Sequence, residues 1–310
     1  MSERRRRIML VVNPHAAQVD RRVRELVRGA LARRYEVREA PTEAQGHGRE
    51  LVQQAAGDGC EMVVTLGGDG TVNEAVNGLH GSTTPLLALP AGSANVYSRM
   101  LGLPGDLVDA TARALALADD FRPRLVDVAR VNERLFAFNA GIGLDASVVE
   151  RVDARPALKA RFGPWFFSAV AVGTAVRRYV RRGAPRFVLT AGGERMQGIT
   201  AIIQNGRPYT FFGGRPIEVA RQGDLRSGRL AGGVLHSASP LTLPGVARRA
   251  LSSRSAVTDH RRVSAFGPAA SVTIESIDGS PLPLQADGDY LGDVQRAEFS
   301  VLPGSLTVVS

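Results

Sequence analysis

The chain has 310 residues, 44% hydrophobic and 22% charged, enough apolar surface for one large domain or two ordinary ones, which excludes a mainly disordered chain. Its formal charge of +9 is almost wholly guanidinium, because Lys159 is the only lysine among 39 basic residues. The excess favours an anionic partner (a phosphate-rich ligand, a membrane surface or nucleic acid) and does not speak to fold; the lone Cys60 excludes an internal disulfide and a cysteine-built zinc site, and suits a reducing, cytoplasmic setting.

Residues 1–7 are basic, but the apolar run 8–12 that follows is too short for a secretory signal and stops at Asn13-Pro14. That run reads as a strand, followed by a helix over 20–34. There Val23, Leu26, Val27, Ala30 and Leu31 recur at three- and four-residue spacing, and Arg21, Arg22, Arg24 and Arg28 form a solvated face. Then come an extended stretch 35–38, a helix 49–56, a strand 62–66, a helix 72–78, a strand 86–89 and helices 94–101 and 107–118. This βα rhythm predicts a doubly covered parallel sheet. After Pro123 the texture changes to strands at 126–131, 135–139, 187–191 and 198–204, with helices sparse apart from 146–152 and an apolar one over 164–179. A second, antiparallel β domain is expected, with the boundary in the linker 119–123. The longest nearly uncharged stretch, 162–176, is shorter than the ~18 residues of a spanning helix, so no bilayer crossing is expected.

The sharpest local signal is Leu66-Gly67-Gly68-Asp69-Gly70-Thr71-Val72-Asn73-Glu74, between a buried-looking strand and an amphipathic helix. Glycines at the carboxyl end of a parallel strand let a ligand approach the backbone, and the next helix presents free N–H groups to phosphate oxygens. The other reading is a plain glycine turn. Thr71 and Glu74 have capping-box spacing. The loop matches neither GxxxxGK[ST] nor GxGxxG. A second loop, Pro90-Ala91-Gly92-Ser93-Ala94-Asn95, follows strand 86–89; Ser93 there either donates to phosphate or caps its helix. Asn13 and Thr42 end the first two strands on the same edge. Near the C-terminus, Asp287-Gly288-Asp289 reads either as a β-turn or as two carboxylates dividing metal and proton duties.

Taken in order, Asn13-Pro14, Gly46-His47, Gly67 to Glu74, Pro90 to Asn95, Phe138-Asn139-Ala140-Gly141-Ile142-Gly143-Leu144-Asp145-Ala146, Asn205-Gly206 and Asp287-Gly288-Asp289 closely resemble the soluble lipid kinase family of bacterial diacylglycerol kinases and sphingosine and ceramide kinases. GGDGT alone is shared with NAD kinases and phosphofructokinases; the Pro-x-Gly-[Thr/Ser]-x-Asn loop and the closing Asp-Gly-acid narrow it. The resemblance implies an α/β ATP-binding domain (1–122, with about 306–310 returning to it) and a β-sandwich lipid-substrate domain (123–305), with ATP in the cleft between them. It implies that Asn13, Thr42, Gly67, Gly68, Asp69, Gly70, Thr71, Val72, Asn73, Gly92, Ser93 and Asn95 line ATP. Asp69 and Asp287 would help hold a catalytic Mg²⁺, and Asp289 would act as general base toward a lipid hydroxyl, where the family usually has glutamate. The chain departs from the pattern at His15-Ala16-Ala17, where x-Ser-Gly is usual. It departs again at Ser227, where a structural Mg²⁺ loop usually has aspartate; Asp224 is offset from that position.

A lipid kinase must meet a bilayer without crossing it. Phe162, Trp165, Phe166 and Phe167, with Arg177, Arg178, Arg181 and Arg182 after them, have the composition of an interfacial helix or of a core helix with a solvated end. The expected activity is ATP-dependent phosphorylation of a membrane lipid's primary hydroxyl, diacylglycerol first, by a cytoplasmic protein in peripheral contact with an anionic membrane, as monomer or homodimer. Its rivals are a sphingoid or ceramide kinase, an NAD kinase and a catalytically silent nucleotide or lipid sensor. Nucleic acid is not an expected partner, because the arginines are scattered without stacking aromatics.

Overall fold

A computed structural model describes residues 4–154, 185–212, 214–239, 242–252 and 255–310. The chain divides into two compact units, Met1–Asp127 with Gly304–Ser310, and Val128–Pro303. The predicted helix 164–179, with Trp165, Phe166, Arg177 and Arg178, lies outside the described residues.

The first unit alternates β1 (Arg7–Val12), α1 (Arg21–Leu31), β2 (Glu36–Pro41), α2 (His47–Gly57), β3 (Met62–Gly67), α3 (Asp69–Leu79), β4 (Leu86–Pro90), α4 (Val96–Met100) and α5 (Leu107–Ala116). Its strands are parallel in the order β2-β1-β3-β4. Every residue of β3 and β4 is buried, as expected of strands covered on both faces, which is why they read as unbroken apolar runs. Ile8, Leu10 and Val12 share a core with Val27 and Leu31 of α1 and Ala110 and Ala114 of α5, while α2 and α3 pack against β1, β3 and β4. Leu26 does not join that stripe: it is 63% exposed. Helix α1 is closed at its start by Asp20, whose carboxylate accepts from the Val23 amide, and Arg24 and Arg28 pair with Glu39. The end of the chain returns here, with Val308 beside Leu86 in parallel register.

In the second unit, β7 (Asn139–Gly143), β10 (Thr200–Gln204), β13 (Leu230–Leu235), β14 (Val263–Ala269), β16 (Leu282–Ala286) and β17 (Asp289–Val294) form an antiparallel sheet ordered β14-β13-β10-β7-β16-β17. Facing it, β15 (Ser271–Ser276) pairs with β8 (Phe187–Ala191) and with the start of β18 (Arg296–Val308), and β8 pairs with β9 (Glu194–Gly198). One core joins Phe187, Leu189, Val272, Ile274 and Phe299 of this sheet to Ile142, Ile203 and Leu284 of the other, which makes the unit a β-sandwich. The unit also holds β6 (Arg134–Phe136), paired with the end of β5 (Arg124–Val131), and the hairpin β11 (Thr210–Phe212) and β12 (Arg215–Ile217). Its described helices are α6 (Leu144–Asp153) and α7 (Leu243–Ala250).

Three differences from the sequence reading have physical causes. The stretch 135–139 is not one strand, because the amides of Ala137, Phe138 and Asn139 turn toward the Asp287 carboxylate. The stretch 198–204 is broken after Gly198, where the chain leaves the sheet of β8 and enters that of β7; a Cβ on Gly198 would lie 2.4 Å from Val234 Cγ1. Helix α3 begins at Asp69, three residues earlier than its apolar pattern, so the glycine loop forms its first turn. Helix α7, short and without buried residues, is not apparent from periodicity.

Candidate functional site

In the order β2-β1-β3-β4 the direction of winding reverses between β1 and β3, and such a reversal opens a crevice at the carboxyl ends of these strands. Asn13 leaves β1 there, its amide donating to Leu66 O (3.0 Å) and its Nδ2 to Thr71 Oγ1 (3.2 Å). The two glycine loops touch backbone to backbone. A Cβ on Gly68 would stand 3.2 Å from Gly92 Cα, and one on Gly92 only 2.5 Å from Gly68 Cα. Gln18 ties the Asn13 loop to the second loop through Ala91 O and Gly92 O. Thr42 continues the β2 edge, its amide donating to Val12 O (2.8 Å).

Within this edge the predicted residues divide by what their side chains touch. Gly70 is exposed, and nothing lies within 4 Å of the position its Cβ would take. No side chain caps the start of α3, so its first N–H groups are directed at the open edge. Ser93 is exposed and does not cap a helix, because α4 begins after Asn95. Asn95, in the left-handed region (φ 50°), shapes the loop: Oδ1 accepts from Gly92 N (2.7 Å) and Nδ2 donates to Gly92 O (3.0 Å). Val72 and Asn73 are buried, Asn73 accepting from Asn77 one turn on. The expected capping box is absent. Glu74 instead reaches α2, accepting from Gly46 N (2.7 Å) and Gly48 N (2.8 Å), and so fixes the Gly46-His47 turn.

Asp69 turns toward α4 and accepts from Tyr97 N (3.1 Å). Burial pushes its carboxyl above the usual carboxylate range, against the pull of the Tyr97, Val96 and Asn95 amides.

In the second unit, Asp287 and Gly288 form the two-residue turn between β16 and β17, both at positive φ (49° and 85°), the conformation an Asp-Gly hairpin turn requires. Asp287 is 6% exposed. Its Oδ2 accepts from Ala137 N (2.5 Å) and its Oδ1 from Phe138 N (3.0 Å) and Asn139 N (3.1 Å). Asp289 begins β17, and Arg134 Nη2 stands 3.4 Å from its Oδ2.

Behind the turn lies a polar network that sequence reasoning missed. Tyr209 donates to Asp145 Oδ1 (2.5 Å), Gln285 Nε2 to Asp145 Oδ2 (2.7 Å), and Gly288 N to Gln285 Oε1 (3.0 Å). Burial raises the Asp145 carboxyl above its ordinary range while the Tyr209 and Gln285 hydrogen bonds oppose it; burial and the neighbouring carboxylate raise Tyr209 well above its own. The available signal was the run Gly141-Ile142-Gly143-Leu144-Asp145: a Cβ on Gly141 would lie 2.0 Å from Asp145 Oδ2. Asp127 was also missed. It is 3% exposed and accepts from Gly304 N (2.9 Å), joining β5 to the returning C-terminal strand.

The donor sets suit a phosphate more plainly than a bare cation. Uncapped amides and an open glycine fit phosphate oxygens. Among the described residues no three Asp, Glu, His or Cys side chains converge, and both oxygens of Asp287 are already engaged. A Mg²⁺ here would be held largely through nucleotide phosphates, with Asp69 the available carboxylate, as Mg²⁺ commonly is in phosphoryl-transfer sites. At the loop 223–228, Asp224 Oδ1 accepts from Arg226 N, and Ser227 Oγ donates toward the carbonyls of Asp224 and Arg229, so the loop is bonded to itself.

Residues 7–131 match the family model for the diacylglycerol kinase catalytic domain. That match spans nearly all of the first unit and the start of the second. No curated relative matches the chain. Among solved structures the fold is similar to Bacillus anthracis str. Sterne proteins assigned as diacylglycerol kinases. One has a TM-score of 0.75 at 23% identity, covering 98% of this chain and 96% of that one. Another has 0.74 at 23%, covering 98% and 97%, and a third 0.71 at 20%, covering 98% and 96%. The glycine loops and their strands fall inside the matched segment. The Asp287 turn falls outside it, within the span shared as fold.

Proposed function

We propose that the protein is an ATP-dependent lipid kinase that phosphorylates the primary hydroxyl of a membrane lipid, with diacylglycerol as the first substrate to try. The observation that carries this reading is the uncapped start of α3, set between glycine loops inside a diacylglycerol kinase catalytic-domain segment. ATP bound by these loops would supply the transferable phosphoryl group, with Mg²⁺ neutralising charge on its phosphates.

The chain's own residues supply positioning and a base. The amides of Asp69, Gly70 and Thr71 orient phosphate oxygens, and Ser93 adds a hydroxyl donor. Asp289 takes the proton of the lipid hydroxyl as that oxygen attacks the γ-phosphorus in line, and ADP departs. Asp287 holds the turn from which Asp289 projects. Arg134, beside Asp289, orients that carboxylate. No helix among the described residues is long and apolar enough to cross a membrane. On this reading the protein works in the cytoplasm and reaches lipid peripherally, with Trp165, Phe166, Arg177 and Arg178 on the anionic surface.

The test is ³²P transfer from ATP with Mg²⁺ to diacylglycerol, ceramide and sphingoid bases in mixed micelles, comparing wild type with Asp289→Asn. Transfer to diacylglycerol, lost in the variant, is expected. Equal rates for both proteins remove Asp289 from the mechanism, and transfer to NAD alone overturns the lipid reading.

A further inference from the structure

The Asp287-Gly288 turn has the residue types and the backbone conformation of a tight hairpin. It is also held from behind by a chain of buried and half-buried polar groups to which the proposed reaction assigns no role. Gln285 is 1% exposed and bridges two partners: its Oε1 accepts from Gly288 N (3.0 Å), and its Nε2 donates to Asp145 Oδ2 (2.7 Å). Asp145 is in turn fixed by the Tyr209 hydroxyl. Asn139 closes the ring, its Nδ2 donating to Tyr209 O (2.8 Å) and its carbonyl accepting from Asp287 N (2.8 Å). Opposite Gln285 the pairing of β16 with β17 slips by one residue, and Gly292 sits at φ 96°. Such a bulge re-aims the neighbouring strand. Drawing a carboxylate out of water is costly unless it is bonded, and the bonds of Asp145 lead through Gln285 to Gly288 of the turn.

We infer that Tyr209, Asp145 and Gln285 are positioning residues that aim the Asp289 carboxylate by fixing Gly288 from behind; this rests on the reading of Asp289 as the proton acceptor. The geometry of the pair Gln285–Asp145 makes a reciprocal test available. Gln285→Glu keeps the acceptor for Gly288 N and sets two carboxylates face to face. Adding Asp145→Asn restores one donor and one acceptor, since the new amide donates to the carboxylate at 285 while its oxygen still accepts from Tyr209.

The experiment measures kcat and KM for diacylglycerol phosphorylation in mixed micelles, together with hydrogen exchange of the peptide spanning 284–291. Gln285→Glu should lower kcat roughly 30-fold with KM for ATP within about twofold, since a misplacement near 1 Å costs on the order of 100-fold. Exchange over 284–291 should quicken while β3 and β4 stay protected, and the double variant should recover both quantities. Tyr209→Phe, which removes one oxygen, should give a smaller loss of the same kind, and no further loss in the Asp289→Asn background. A double variant no better than Gln285→Glu overturns the proposal, as does unchanged exchange over 284–291 or an equal Tyr209→Phe loss with Asp289 already replaced. A wild type that transfers no phosphate to lipid but shows the exchange and its rescue refutes the kinase reading while supporting the network's hold on the turn.

Discussion

Gly70→Ala separates the ligand-binding role of the first loop from its folding role. Among the described residues no atom beyond its chain neighbours and its own helix backbone stands within 4 Å of the added methyl, Gly70 is exposed, and its φ is not in the left-handed region. Because Gly70 is the second residue of α3, alanine should leave stability unchanged or raise it by about 0.5 kcal/mol, at the low end of the Gly-to-Ala helix difference. If phosphate oxygens approach the α3 amides, the same methyl stands in their path and should weaken ATP binding by roughly 10- to 100-fold, about 1.4–2.7 kcal/mol. Gly92→Ala provides the contrast. Its Cβ would be 2.5 Å from Gly68 Cα, so the loops must part by about 1 Å to reach ordinary contact, at a cost of about 1–3 kcal/mol. Thermal melts and titration calorimetry with ATP and Mg²⁺ read both quantities. A Gly70→Ala protein with unchanged ATP affinity and intact fold would refute phosphate binding at this loop, and a Gly92→Ala protein of wild-type stability would refute the packing argument.

Asp287→Asn should be tolerated by the positive-φ backbone but lose acceptors for buried amides, lowering stability by about 2–4 kcal/mol in urea melts. A variant with full stability and lost activity would return Asp287 to the metal. Glu74→Gln should cost about 1–2 kcal/mol, because one of the Gly46 and Gly48 amides then faces an NH₂ group, and exchange should quicken at the start of α2. Tyr35, whose buried hydroxyl donates to Ala114 O, is pushed up to about 12 by burial. The unfolded chain therefore loses this proton near pH 10 and the folded chain near 12, so stability should fall by about 1.4 kcal/mol per pH unit across that window. Tyr35→Phe should flatten that alkaline fall, and an unchanged slope would refute the assignment.

The first unit was legible because its strands β1, β3 and β4 are buried runs and its longer helices are amphipathic, so each of these elements carries its own pattern. What periodicity misjudged were the places where the site intrudes on an element. Gly68-Asp69-Gly70 has the composition of a loop, yet Asp69 and Gly70 are in α3, because the helix start presents amides and small residues keep its face open. Residues 135–139 read as one strand, and the break at Ala137 exists because three amides bend to a carboxylate about 150 positions later in the chain. No local pattern can announce so distant a partner. Gly198 read as the first residue of a strand, and its part in moving the chain between sheets depends on Val234.

The carboxylates show the same limit in chemical terms. Asp69, Asp287 and Asp289 are one residue type at motif positions, and the resemblance gives two of them to a metal and one to a proton. Their surroundings separate them differently. Asp287 meets three amides and is a clamp for the turn, Asp289 meets one guanidinium at the start of a strand, and Asp69 meets the first amides of another helix. A carboxylate bonded through both oxygens to three amides can hold a turn, and the proposed reaction gives the proton to Asp289 instead. The excess arginine charge that first pointed to an anionic partner does not build the glycine loops proposed to bind phosphate, which offer backbone N–H groups instead. Salt should therefore weaken association with anionic vesicles far more than it weakens ATP binding, because amides at a helix start are screened less than exposed guanidinium groups. Equal salt slopes for the two ligands would place the arginines in the nucleotide site after all.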